Sequence, residues 1–149
     1  MAVTVAAQKV QRSGYPSAYA EHEPDARVLA SALTGNSRRA FACRISEAPE
    51  TAPTKLDDVG LTPRADAVRA DLEGAFGPQS TGGYAHGGVS SGHMQGSAHS
   101  VGRAVDVFVR PVTHANKTRG WAMAQYLVAQ AERLAIEHVI FDGRIWTAG

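Results

Sequence analysis

Cysteine is nearly missing: Cys43 is the only one in 149 residues. No internal disulfide is therefore possible, and the thiol chemistry gives no sign of an oxidising compartment. Cys43 lies in Ala40-Phe41-Ala42-Cys43-Arg44-Ile45, which alternates like a strand and makes it a buried, inert thiol; the other reading is a partner cysteine outside this chain. A cysteine nucleophile needs a matched general base, and none is near it in sequence. Long apolar runs are also missing. No stretch reaches the roughly 18 residues needed to cross a bilayer. The mildly apolar Met1–Val10 is broken by Gln8 and Lys9 and does not read as an export signal. Charge of one sign is missing too. The net charge is +1, with acids and bases interspersed, and no basic-aromatic interleaving is seen. Nucleic acid and membrane surfaces are therefore not expected partners.

What is present suits a single core, with 44% hydrophobic residues in one domain's length of chain. Residues 1–23 are polar, contain Gly14 and Pro16, and are expected to be irregular and poorly ordered; residues 24–149 form the domain. A helix is predicted over Pro24–Thr34, with Gly35 as its stop. The strand around Phe41–Ile45 follows, then a proline- and acid-rich loop from Ser46 to Asp58. Thr62-Pro63 starts a second helix, with Ala65, Val68, Leu72, Ala75 and Phe76 on one face and Gly77-Pro78 ending it. Ser80–Gly96 is rich in glycine and serine but lacks a Gly-Lys-Ser/Thr ending, so it reads as the wall of a cleft rather than a phosphate cradle. After Pro111, Asn116 is the expected cap of a long helix carrying Trp121, Ala124, Leu127, Val128, Ala131 and Leu134. Val139–Phe141 and Arg144–Trp146 flank Asp142-Gly143 as a hairpin, which makes Asp142 a turn residue rather than a general base.

The chemistry concentrates in Ser97-Ala98-His99-Ser100-Val101-Gly102-Arg103-Ala104-Val105-Asp106. Ala104–Val109 alternates as a strand with Val105, Val107 and Val109 on the core face, leaving Asp106 on the other face beside small Ala104. Gly102 lets the chain turn sharply, so that His99 folds back over the strand start. Imidazole and carboxylate are both zinc ligands, and a catalytic zinc takes three protein ligands plus a water. His99 and Asp106 are thus the candidate ligands, with Ser97 behind them to orient the loop or the imidazole.

These residues resemble, position by position, the Ser-x-His-x-x-Gly-x-Ala-x-Asp signature of the zinc carboxypeptidases that share their fold with the Hedgehog signalling domain. Thr81-Gly82-Gly83-Tyr84, Gly96-Ser97-Ala98-His99 and Val139–Trp146 are also similar to an actinobacterial branch of secreted peptidoglycan hydrolases of that fold. The resemblance implies an α+β domain, a small and largely antiparallel sheet packed against helices. It also implies an extracellular or cell-wall location and hydrolysis of cell-wall stem peptides by a metal-bound water. It further implies a third ligand, a histidine on a late strand past Trp146, which this sequence lacks. On that reading the domain is without its C-terminal strand, binds zinc weakly and hydrolyses little. The alternative is a non-catalytic cell-wall-binding or structural module with a degenerate metal site. Where the wider family has an arginine after Gly-Tyr, this sequence has Ala85.

Two further histidines are candidates for the third position. His93 precedes His99 by six residues in the flexible loop and either completes the site or lines its mouth. His138 stands beside Glu137, but adjacent strand residues face opposite ways. His86 is a weaker candidate, and His114 and His22 read as solvated. The general acid/base carboxylate is not identifiable.

Overall fold

The computed structural model describes residues 1–38 and 53–149; the strand expected around Cys43 and most of the following loop lie outside the described residues. The architecture is α+β. In chain order come α1 (Val3–Gln11), α2 (Ala18–Leu33), α3 (Pro63–Phe76), β1 (Thr81–Gly82), a 3-10 turn (Ala98–Val101), β2 (Asp106–Val107), α4 (His114–Ala129), α5 (Ala131–Leu134), β3 (His138–Phe141) and β4 (Arg144–Thr147). The single sheet expected from the sequence is, among the described residues, two antiparallel ribbons, β1-β2 and β3-β4. Each is too narrow to stand alone; α4 packs on β3.

The pillar of the domain is α4. Its residues Gly120, Trp121, Ala122, Met123, Ala124 and Gln125 are consecutive and all buried. A run longer than one helical turn with no exposed member means the helix is covered on every side. It packs against α2, α3, α5 and β3. The single apolar stripe read from the sequence is therefore too narrow. Glycine and alanine supply the extra contact faces, a role that a hydrophobic pattern does not register. Gly120 meets the Phe141 ring of β3, and Phe141 in turn stands edge-on to Trp121 with centroids 5.5 Å apart. Gly35, at φ +78°, lies against the backbone of Thr118 and Ala122 and so closes the end of α2 onto α4.

Helix boundaries follow local chemistry. Thr62 accepts a hydrogen bond from the Ala65 amide and Pro63 fills the first turn of α3. Thr113, not Asn116, caps α4: its hydroxyl accepts from the Asn116 amide, so the expected cap residue is the donor three positions on. At the N-terminus the structure departs from the reading of residues 1–23 as irregular. Val3–Gln11 is helical, and α2 begins at Ala18 and runs through Pro24 instead of starting there. Alanine-rich sequence and packing on α1 outweigh the one backbone bond that Pro24 cannot donate. α1 buries no residue.

The β3-β4 hairpin forms in the expected register, with Val139 opposite Trp146 and Phe141 opposite Arg144. Asp142 (φ 49°) and Gly143 (φ 70°) take the left-handed conformations that a two-residue hairpin turn needs. The Asp142 carboxylate is held by Lys117 Nζ at 2.7 Å and accepts from Trp121 Nε1 at 3.2 Å, which pins the turn to α4. The Lys117 hydrogen bond is the main reason its carboxyl sits below the usual range. It is a structural anchor, in keeping with its reading as a turn residue.

Asp71 ties three helices together. It accepts from Tyr126 Oη at 2.7 Å and from Arg133 at 2.8 Å and 2.9 Å. Tyr126 first, and Arg133 second, hold its carboxyl below the ordinary carboxylate range. A carboxyl so lowered in the folded state stabilises above its unfolded value, and the contribution is lost as pH falls through the folded value. Asp71→Asn should therefore lower the melting temperature at pH 7 by a few degrees, for a partly solvated network worth at most about 1 kcal/mol. The gap to the wild type should close below about pH 4 in a thermal-melt series. Gly120→Ala sets helix propensity, about 1 kcal/mol in favour of alanine, against a new Cβ that would stand 2.1 Å from the Phe141 ring. Overpacking costs about 1–3 kcal/mol and should prevail, so the urea midpoint should fall.

Candidate metal centre

The site is assembled by two short strands and one 3-10 turn. Register places Gly82 of β1 opposite Asp106 of β2, and the Phe108 amide extends the pairing by donating to the Ser80 carbonyl at 2.8 Å. The next residue along from Gly82 is Gly83, so its carbonyl comes to the edge of the same ribbon. Ser97 begins the 3-10 turn by accepting from the His99 amide at 3.3 Å. Gly102, at φ +64°, ends it, with its amide and that of Arg103 donating back to His99 and Ala98. Ser97 thus orients the loop through its backbone; the imidazole is oriented elsewhere.

That other partner is Gly83. His99 Nδ1 lies 2.8 Å from the Gly83 carbonyl oxygen. A carbonyl can only accept, so Nδ1 carries a proton, and when the ring is neutral its lone pair is at Nε2. Nε2 in turn faces Asp106 Oδ1 at 3.6 Å. This is too long for a hydrogen bond. It matches two ligands of one tetrahedral ion: zinc bonds of about 2.0–2.2 Å to nitrogen and oxygen place the donors about 3.4 Å apart. A backbone carbonyl holding the far nitrogen of a ligand imidazole is also the usual support for metal-bound histidine. His99 and Asp106 therefore fit a cation. The His99 side chain is 18% exposed and Asp106 47%, so the opening lies on the carboxylate side.

The glycines around this pair are needed for their lack of a side chain. A Cβ on Gly83 would stand 2.5 Å from His99 Nδ1 and 2.7 Å from Asp106 Oδ2. A Cβ on Gly102 would meet Leu56 at 2.5 Å and the Gly60 carbonyl at 2.6 Å. Gly102 also connects the site to the start of α3, because its carbonyl accepts from the Thr62 amide at 2.9 Å and hydroxyl at 3.3 Å. The Leu61-Thr62 segment is in turn shaped by Asp57, whose carboxylate accepts from the Val59 and Leu61 amides. Leu61 is completely buried, which anchors the ligand loop in the core.

The other sequence candidates are distributed unevenly. His93 comes to the site: its ring stacks on that of His99, with centroids 4.4 Å apart and planes 11° from parallel. His138 stands at the start of β3 in the other ribbon, exposed, with Nδ1 4.0 Å from Glu137. His86 hydrogen-bonds through Nδ1 to the Asp58 carbonyl at 2.8 Å, and His114 opens α4. No group of three or more histidine, cysteine or acidic side chains already set to hold a metal is found among the described residues. Gly83 was missed as a site residue by sequence reasoning. The Gly-Gly pair before Tyr84 was the available signal, but which residue its carbonyl would meet depends on strand register.

Residues 57–149, more than half of the chain, match the family model described as VldE, C-terminal domain, and the chain belongs to that family. No curated protein and no solved structure matches it. The matched region contains Gly83, His93, Ser97, His99, Gly102 and Asp106.

Gly83→Ala should separate His99 from its carbonyl partner and from Asp106. We expect zinc affinity to fall by at least about tenfold while the helical signal in circular dichroism is retained, because Gly83 follows β1 and lies outside every helix. Zinc binding equal to that of the wild type in a chelator competition assay would show that this hydrogen bond does not set the site.

Proposed function

We propose that this member of the VldE C-terminal domain family is a zinc-dependent, peptidase-like domain of the Hedgehog/D-alanyl-D-alanine peptidase fold, acting on the stem peptides of bacterial cell walls. The observation that carries this reading is the convergence of His99 Nε2 and Asp106 Oδ1 at ligand-to-ligand distance, with the far imidazole nitrogen held by Gly83. With Nε2 unprotonated, the two facing atoms 3.6 Å apart are placed as two donors to one cation would be. The Ser97–Asp106 signature adds the peptidase reading, and with it an extracellular or cell-wall setting.

His99 and Asp106 would hold the ion, and Gly83 and Ser97 would keep His99 in place. When bound, zinc supplies a water of lowered pKa and a Lewis acid for the scissile carbonyl. This chain's residues bring His99 and Asp106 together beside the glycine-rich Ser80–Gly96 loop, and the more exposed Asp106 side would face an incoming peptide. No helix among the described residues is long and apolar enough to cross a membrane.

The test is release of peptide or amino acid from purified peptidoglycan, with and without added zinc. The wild type should release product only with zinc, at a low rate. His99→Ala and Asp106→Asn should each abolish release, with melting temperatures close to the wild type. Release that is indifferent to both substitutions would refute the metal-site reading. Sedimentation with peptidoglycan without any release would favour the non-catalytic cell-wall module instead.

A further inference from the structure

We propose that His93 is the third protein ligand of the cation site, carried to it by the Gly87–Gly96 loop; this inference rests on the metal reading of His99 and Asp106. Of the histidines outside the ligand pair, His93 is the one seated on it. His86 is committed to the Asp58 carbonyl, and His138 belongs to the other ribbon beside Glu137. Neither ring nitrogen of His93 has a hydrogen-bond partner among the described residues, and the residue is exposed.

The stacked position is close to a ligating one but differs from it in ring orientation. Lone pairs lie in the ring plane, so two parallel imidazoles cannot both aim at one ion beside their edges. Two imidazoles on one tetrahedral zinc have centroids about 5 Å apart. The observed separation is 4.4 Å. The main change needed is a rotation of the His93 ring out of the stack, with a centroid shift of about 1 Å.

The loop is built to allow it. Gly87, Gly88, Gly92 and Gly96 all have positive φ, and a Cβ on Gly87, Gly92 or Gly96 would meet nothing within 4 Å. The segment is tethered near its ends, by His86 to Asp58 and by the Ser97 amide to the Met94 carbonyl at 3.0 Å. Between those tethers the backbone next to His93 is unpacked. Without a cation the ring rests on the apolar face of His99; with one, an N–Zn bond outweighs a stack worth about 1 kcal/mol. The loop would thereby close over the imidazole side and leave the Asp106 side as the opening.

The experiment compares zinc titrations of the metal-free chain with those of His93→Ala, His93→Phe, His93→Asp and Asp106→Asn, read by calorimetry. The visible spectrum of added cobalt reports the ligand set. His93→Phe keeps an aromatic ring to stack but no nitrogen to ligate, and His93→Asp restores a ligand without a ring. We expect one ion per wild-type chain, affinity at least about tenfold weaker in both His93→Ala and His93→Phe, and substantial recovery in His93→Asp. The cobalt spectrum should change in all three variants. If His93→Phe binds zinc as tightly as the wild type, the ring only packs and the proposal is overturned. Loss of binding in Asp106→Asn with unchanged binding in both His93→Ala and His93→Phe would remove the third-ligand assignment alone. A wild type that takes up no zinc would remove the underlying metal reading along with it.

Discussion

The hydrogen bond from His99 Nδ1 to the Gly83 carbonyl is the contact on which the site depends. It decides the tautomer of the neutral ring, in which the lone pair on Nε2 faces Asp106. Several features converge on this contact. The β1-β2 register delivers the carbonyl, the 3-10 turn between Ser97 and Gly102 delivers the imidazole, and the missing Cβ of Gly83 makes room for His99 and Asp106. Each acts through backbone geometry. The placement of His99 against Asp106 is therefore set by the main chain.

The rest of the fold holds that main chain still. Two-residue strands cannot do this alone. The Thr62–Gly102 pairing fastens the ligand turn to the head of α3, and fully buried Leu61 fastens that junction to the core. α3 packs on α4 and α5, where Asp71, Tyr126 and Arg133 connect the three helices. The hairpin at the far end is secured to α4 by Lys117, Trp121 and Asp142. α4 thus supports the β3-β4 ribbon directly and the β1-β2 ribbon through α3 and the Thr62–Gly102 pairing. Its run of small residues lets the neighbouring backbones approach closely enough to cover it on all sides.

Local chemistry made much of this legible in advance. Thr62-Pro63 and Gly77 mark the ends of α3 because capping and positive φ are properties of the residues themselves. Asp142-Gly143 marks the hairpin for the same reason. Gly102 between His99 and Asp106 marks the bend that brings them together. The errors arose where the outcome depended on partners. Pro24 lies inside α2 because packing on α1 overrides its local preference. The cap of α4 is Thr113 because its hydroxyl, and not the Asn116 amide, lies before the first turn. The Ala104–Val109 strand shrinks to Asp106–Val107 because β1 offers only two residues to pair with.

By itself the sequence determined the turn between His99 and Asp106, the hairpin and the ends of α3. All of these depend on residues within about ten positions of one another. Tertiary structure alone decided that Gly83 supports His99 from sixteen residues away. It also decided that His93 rests on that ring, and that the valines of the ligand strand are only half-buried. The physical reason is that strand register and helix packing bring distant backbone together, and a hydrophobic or motif pattern along one segment carries no information about which carbonyl or ring will arrive opposite it.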